Sequence, residues 1–259
     1  MSKKTERMNR LIDILKIRSF VSIKELASIL NVSEMTVRRD IRLLEANRIA
    51  DNVDGTAVYN SAHSVARFEN EYSLMVEAER QDSQKEIIGK YAADMVEKND
   101  IIILDTGSTT ERIVPYLSPN SNITAICYNI NILIELRRRV GVEMIFSGGY
   151  YHPNTQMFES PEGIQFISRM RAQKVFVSAA GVHEQLGVTC ANGYEIPMKQ
   201  AILRSSLKKI LVADSSKFGK LKQAYFCDLT EIDAVVTDSG LSDHWRQLID
   251  TMGIELHIA

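Results

Sequence analysis

From residue 100 onward the chain repeats one pattern. A short apolar run is followed by a small, polar loop and then, in most cases, by a helical stretch. The runs fall at residues 101–104, 123–126, 143–146, 175–177, 210–212 and 234–236. A strand with one face in water alternates apolar and polar residues, whereas a strand covered on both faces reads as a continuous apolar run. The pattern therefore predicts an α/β domain with a mainly parallel sheet sandwiched by helices. With 45% hydrophobic and 25% charged residues, the chain has the apolar surface for a sizeable core, which excludes disorder as its main state. No run of about 18 apolar residues occurs, so no membrane span is expected. No fixed-period repeat stands out.

The first hundred residues follow a different rule. Residues 5–50 read as three short helices. Met8, Leu11, Ile12, Ile14 and Leu15 give the first an apolar face. Ser22 stands three residues before Glu25, a capping-box spacing that opens a second helix burying Leu26, Ile29 and Leu30. Asn31-Val32 makes a tight turn. Ser33 then caps a third helix running to about residue 47, with Val37, Ile41 and Leu44 inward. Residues 49–59 hold Asp54-Gly55 between two β-like runs, a hairpin signal consistent with a small wing. The organisation expected is a winged helix-turn-helix over 1–59, a linker and the start of a connecting helix over 60–82, and an α/β domain over 83–259. A helix is expected from about residue 83 to 97.

Charge divides along the same line. The whole chain carries 31 Lys+Arg and 33 Asp+Glu, a net of −2, but residues 1–50 hold 11 against 6 and the remaining 209 hold 20 against 27. A basic head on an acidic body suggests two jobs. The first ten residues are charged and polar, so no secretory signal is expected. Cys127, Cys190 and Cys227 are widely spaced, with no CxxC pair. A disulfide framework, a metal site or a cofactor is not expected, and a reducing cytoplasm is the simplest home.

The third helix exposes Ser33, Met35, Thr36, Arg38, Arg39 and Arg42. A helix of this kind enters the major groove with its N-terminal residues against base edges while the preceding helix crosses the backbone. Arg38 or Arg39 can reach guanine O6 and N7 with two bonds. Ser33 and Thr36 suit phosphates or bases, and Lys24 suits a phosphate. Taken by pattern alone, the same residues also fit a generic three-helix bundle with a solvated basic face. Specific residues add to this. Arg7, Leu11 and Leu15, followed by Ser33-Glu34-Met35-Thr36-Val37-Arg38-Arg39-Asp40-Ile41, match the helix-turn-helix signature of the DeoR family of bacterial transcription regulators. The resemblance implies binding of double-stranded operator DNA. Asp40, whose charge would repel phosphate, reads as a structural partner of a neighbouring Arg.

In the body, Asp105-Thr106-Gly107-Ser108-Thr109-Thr110 follows the first strand and opens a helix. Gly107 would let the backbone approach a ligand, and the three hydroxyl residues add donors to free amides, so the loop reads as an anion site or as a plainly capped helix. Asn129, Gly148 and Gly149, Ala179 and Gly181, and Lys217 lie in loops after later strands. Ligands of open α/β sheets sit beyond the carboxyl ends of strands, where these loops converge. Glu195 precedes Lys199 by four residues, a spacing that suits either a site for sugar hydroxyls or a surface ion pair. His183 reads as a structural His or as a further polar group in the pocket. The order of segments resembles the DeoR effector domain, similar in fold to ribose-5-phosphate isomerase, and the resemblance covers residues 5–58 and 80–255. It implies a phosphorylated sugar as effector, held by the loop that starts at Asp105. Cys127-Tyr128-Asn129, residues 178–183 and residues 214–220 resemble members governing deoxyribonucleoside catabolism, which makes deoxyribose 5-phosphate the leading candidate.

One position departs from the pattern. Ala180 stands where isomerases of this fold carry an Asp. A proton-shuttling isomerase needs a positioned base with polar partners, and although Glu195 falls near that base, its supporting carboxylate is missing. The expectation is a homo-oligomeric repressor of a sugar or nucleoside operon. The alternative is a sugar-phosphate isomerase with an accessory head.

Overall fold

The structure is a computed structural model and describes residues 3–18, 20–46, 50–53, 55–59 and 73–259. The chain divides into two compact units, 1–71 and 72–259.

In the first unit, helices α1 (Lys3–Arg18), α2 (Ile23–Leu30) and α3 (Glu34–Ala46) accompany strands β1 (Phe20–Ser22), β2 (Ala50–Val53) and β3 (Thr56–Tyr59), which form an antiparallel sheet in the order β1-β3-β2. Ser22 caps α2, its hydroxyl accepting from the Glu25 amide at 3.2 Å. The reciprocal bond of a capping box is replaced by an ion pair between Glu25 and Arg18. Asn31 ends α2 at φ 52°, a left-handed conformation that Asn tolerates. Leu11, Leu15, Ile23, Leu26, Val37, Ile41 and Leu44 form one core with Ala50 and Ala57 of the hairpin. Gly55 turns the hairpin at φ 81°, and Asp54, expected beside it, lies outside the described residues. Strand β1 had no sequence signal: three residues long, it buries only Val21.

The second unit is built on a seven-stranded sheet whose paired strands all run parallel. Its strands are β4 (Ile101–Leu104), β5 (Ile123–Cys127), β6 (Val142–Phe146), β9 (Ala172–Val177), β12 (Ser206–Val212), β14 (Ala234–Thr237) and β15 (Glu255–Ile258), in the order β15-β14-β12-β9-β4-β5-β6. Side chains alternate between two cores, as a strand period of two requires. On β4, Ile103 enters one core and Ile102 and Leu104 the other. The Ile102 side is covered by Ile88, Ala92 and Ala93 of α5 (Asp82–Asp94). Further helices are α6 (Ser108–Glu111), α7 (Ile130–Leu136), α8 (Pro161–Ser168), α9 (Ile196–Arg204) and α10 (Asp243–Thr251). Met198, Ala201 and Ile202 of α9, with Trp245 and Ile249 of α10, cover the Ile103 side. A hairpin of β7 (Tyr150–His152) and β8 (Met157–Glu159) adds to this unit. So does an antiparallel sheet of β10 (Gly181–His183), β11 (Gly187–Cys190) and β13 (Ala224–Cys227).

Two expectations are corrected. The helix placed at 83–97 is α5 and ends at Asp94. The stretch 60–82, expected to hold a linker and the start of a connecting helix, holds a separate short helix, α4 (Leu74–Glu79), which belongs to the second unit. Leu74 is only 2% exposed. Residues 60–72 lie outside the described residues.

Candidate DNA-reading face and sensor site

On α3, Met35, Arg38, Arg39 and Arg42 share one helical face by their spacing, and all four are exposed, Met35 by 74%. Ser33 caps the helix: its hydroxyl accepts from the Thr36 amide at 3.2 Å and lies 2.9 Å from the Thr36 hydroxyl. Lys24 is exposed near the start of α2. Asp40 is buried and takes a two-pronged bond from Arg7, at 2.7 and 3.2 Å. That pairing ties two motif residues 33 positions apart, and Asp40 holds α1 against α3 instead of facing outward.

In the second unit the chain leaves β4 for β5 and β6 on one side, then crosses to β9, β12, β14 and β15 on the other. The carboxyl ends of β4 and β9 are therefore the switch point where an open α/β sheet forms its crevice. Asp105 follows β4 and Ser178 follows β9. The Asp105 carboxylate accepts from the Ser178 amide at 2.8 Å and from its hydroxyl at 3.0 Å, and also from Tyr128 and Lys199. Asp105 and Lys199 form an ion pair with almost no exposure on either side. Burial works to lower the Lys199 pKa, but Asp105 and Glu195 outweigh it and hold the ammonium above its usual value. Burial, reinforced by Asp105, pushes the Tyr128 phenol well above its ordinary value.

This geometry reassigns several residues. Asp105 is committed to protein partners, so it orients Lys199 and locks β4 to β9. The Glu195/Lys199 spacing yields no surface pair, since both residues are buried and Lys199 turns to Asp105. The Glu195 carboxylate accepts from the Asn192 amide at 2.9 Å and its side chain at 3.0 Å, and burial raises its pKa. A Cβ on Gly107 would lie 2.3 Å from the Ser178 hydroxyl, so the close approach there is to the neighbouring strand and not to a ligand. The Thr110 hydroxyl donates back to the Asp105 and Gly107 carbonyls, at 2.7 and 2.8 Å. Asn129, fully buried, caps α7 and donates to Thr106 and Thr155. Gly181 packs against the Lys220 carbonyl. Gly148 and Gly149 turn the chain beyond β6 with φ of 66° and 128° and do not line the crevice. His183 accepts from the Gln185 and Leu186 amides, which makes it a hairpin residue.

Lys217 lies 2.7 Å from the Glu77 carboxylate of α4. Leu74, the first residue of α4, lines the crevice together with Thr106, Ser178, Ala179, Glu195 and Lys199. The cavity left is about 10 Å³, close to the least that holds one water. Larger concavities lie elsewhere. One of about 460 Å³ runs along the amino ends of the strands, near Ile101, Arg171 and Leu207. Among the described residues, no His, Cys, Asp and Glu cluster could hold a metal ion, and no helix is long and apolar enough to cross a membrane. The three cysteines are buried and free, their thiols pushed by burial to about 12.

Sequence reasoning did not single out Leu74, Glu77 or Lys85. Tyr128 and Ser178 lie in stretches it did quote after strands, but without a role of their own at the site. Glu77 and Lys85 had no local signal.

A helix-turn-helix head with a β-hairpin, joined to an α/β unit with a polar crevice at its switch point, defines the class of regulators that couple a DNA-reading head to a sensor. Residues 7–63 match the DeoR-like helix-turn-helix domain and residues 80–239 match the DeoR C-terminal sensor domain. The chain belongs to the DeoR family. It is 31% identical over 257 residues to the deoxyribose operon repressor of Escherichia coli, covering 98% of each chain. It is 33% identical over 238 residues to the lactose phosphotransferase system repressor of Staphylococcus epidermidis, covering 91% of this chain and 92% of the other. Among solved structures, ribose 5-phosphate isomerase from Plasmodium falciparum aligns with a TM-score of 0.39 and 18% identity over 53% of each chain.

Proposed function

We propose that this chain is a cytoplasmic, homo-oligomeric repressor of a sugar or nucleoside operon, released from or recruited to operator DNA by a phosphorylated sugar. Residues 1–59 read the DNA. Met35, Arg38, Arg39 and Arg42 face the major groove, with Ser33, Thr36 and Lys24 beside the phosphates. Residues 83–259 hold the effector at the carboxyl ends of β4 and β9. There Lys217 and the amides of Ser108 and Thr109 take the phosphate, and Glu195, Lys199 and Ala179 wall the sugar. Deoxyribose 5-phosphate is the leading effector, in keeping with the name of the Escherichia coli relative.

The observation that carries this reading is the pairing of an exposed arginine face on α3 with a buried, acid- and base-lined crevice in the second unit. Binding without turnover is favoured by the same residues. Glu195 is held in the Asn192 cap, and Ala180 offers no carboxylate to relay a proton. Fluorescence anisotropy on the upstream region of its operon, with a thermal-shift panel of sugar phosphates, tests the proposal. Sequence-specific binding at moderate salt and one sugar phosphate that raises Tm are expected. Turnover of a pentose phosphate that vanishes in Glu195→Gln would overturn it in favour of an isomerase.

A further inference from the structure

The short helix α4 occupies the site in two ways at once. Its apolar end, Leu74, fills the crevice against Ser178, Glu195 and Lys199, and the Leu74 amide donates to the Asn154 carbonyl at 2.7 Å. Glu77, one of its two acidic residues, presents its carboxylate to Lys217 and Arg80 and its carbonyl to Lys85. The carboxylate pairs with Lys217 at 2.7 Å, the two side chains being 13% and 18% exposed, and the main-chain carbonyl accepts from Lys85, itself 1% exposed.

The Glu77 carboxylate thus takes one half-buried ammonium, Lys217, and one exposed guanidinium, Arg80 at 2.8 Å, while buried Lys85 bonds only the main-chain carbonyl. Because that carboxylate already takes a Lys217 donor, a phosphate seated on the same ammonium would meet a like charge at close range. Burial alone would raise the Glu77 pKa, yet Lys217 holds it low, so Glu77 remains an anion at neutral pH. Lys85 is depressed first by burial and then by the charge of Lys217, with Asp214 and Glu77 acting the other way.

We infer that residues 73–80 are a built-in competitor of the effector: Glu77 stands in for the phosphate on Lys217, Leu74 fills the room for the sugar, and effector binding must expel α4. This rests on the effector site given under Proposed function. The consequence is a route from ligand to head that needs no wire through the sheet. Helix α4 is the first helix of the second unit in chain order, so its release frees residues 73–80 between the head and α5. The ligand's apparent affinity is then reduced by the fraction of molecules in which α4 is docked.

Calorimetric titration of the full chain with deoxyribose 5-phosphate and with ribose 5-phosphate tests this. Glu77→Gln keeps the shape and removes the charge, and Leu74→Ala opens the crevice. Each should tighten binding of a probe that wild type binds by about tenfold. Hydrogen exchange on the unmodified protein supplies a second readout, with the amides of residues 74–80 exchanging faster at saturation. Unchanged affinity in both variants, or slower exchange at 74–80, overturns the competitor while leaving the site intact. Lys217→Ala separates the two ideas: loss of binding there with Glu77→Gln silent means an effector site without a plug. If neither wild type nor the two opened variants bind either probe or inorganic phosphate, the effector site itself falls and the competitor falls with it.

Discussion

On α3 the side chains proposed to read DNA stand in solvent along one face. At the carboxyl ends of β4 and β9, Asp105, Asn129, Glu195 and Lys199 are almost wholly buried. The helix gathers its residues from one stretch of eight positions, 35–42. The crevice gathers them from segments that meet only in the fold: Lys199 reaches Asp105 across 94 positions, and Lys217 reaches Glu77 across 140. A surface that reads a large, rigid, polyanionic partner can leave its cations free in water. A pocket for a small anion must desolvate its charges, and each then needs a protein partner while no ligand is bound. The head thus separates stability from proposed recognition, whereas the proposed effector crevice is built from residues that also hold the fold together.

That contrast can be broken by mutation, beginning with the largest effect. Asp105→Ala leaves Lys199 charged and buried without its carboxylate, and should cost the second unit about 3–5 kcal/mol. Urea unfolding followed by Trp245 fluorescence would measure it, since Trp245 packs in that unit's core. A loss below about 1 kcal/mol would show that the pair is dispensable to the fold. Arg38→Ala should behave in the opposite way. It should leave the urea midpoint in place but weaken operator binding by about 1–3 kcal/mol and relax base specificity. Lys24→Ala should instead weaken all sequences alike and reduce the salt slope by about 1. A change in stability for Arg38→Ala would blur the contrast.

The smallest effect concerns Glu111, at the end of α6. Burial, against bonds from Asn131 and the charge of Arg112, pushes its carboxyl up to about 7 from 4.5. Between those values the folded protein keeps a proton that the unfolded chain has released. The stability this proton contributes is therefore complete below the unfolded value and is lost as pH rises through about 7. Glu111→Gln cannot titrate and should flatten the decline between about pH 4.5 and 8, on the order of 1–3 kcal/mol. An unchanged pH profile would place the carboxyl in effective contact with water.

The legible parts of the fold were those whose physics is local. Five of the six apolar runs became the inner strands because continuous apolarity needs two covered faces; the sixth, 143–146, became β6 at the edge, with no buried residue. The two capped helices of the head were legible because Ser22 and Ser33 bond three residues ahead. Strand β15 is an edge strand with one exposed and three half-buried residues, and the hairpin of β7 and β8 buries only Met157 fully, so neither carries a strong pattern. Helix α4 was hidden because six residues, Leu-Met-Val-Glu-Ala-Glu, are too few to show a helical period. At the site, loops were predictable from strand ends, but which polar atoms were already taken was not. Glu195 and Lys199 sit at a spacing that suggests a mutual pair, and only the fold reveals that Asp105 draws the lysine away.

The order of strands also fixes the order in which the molecule can be made. The sheet's centre joins β4 to β9, with Ile102 opposite Lys174 and Ile103 opposite Val175. Until the ribosome has passed residue 177, β4 has no neighbour on that side and the crevice has no second wall. The head's contacts close within its first 59 residues, and chains fold domain by domain as they emerge, at about 5–20 residues per second. A DNA-reading unit is thus complete for several seconds before the unit that senses the ligand exists. During each round of synthesis, the part that grips the operator is older than the part that restrains it.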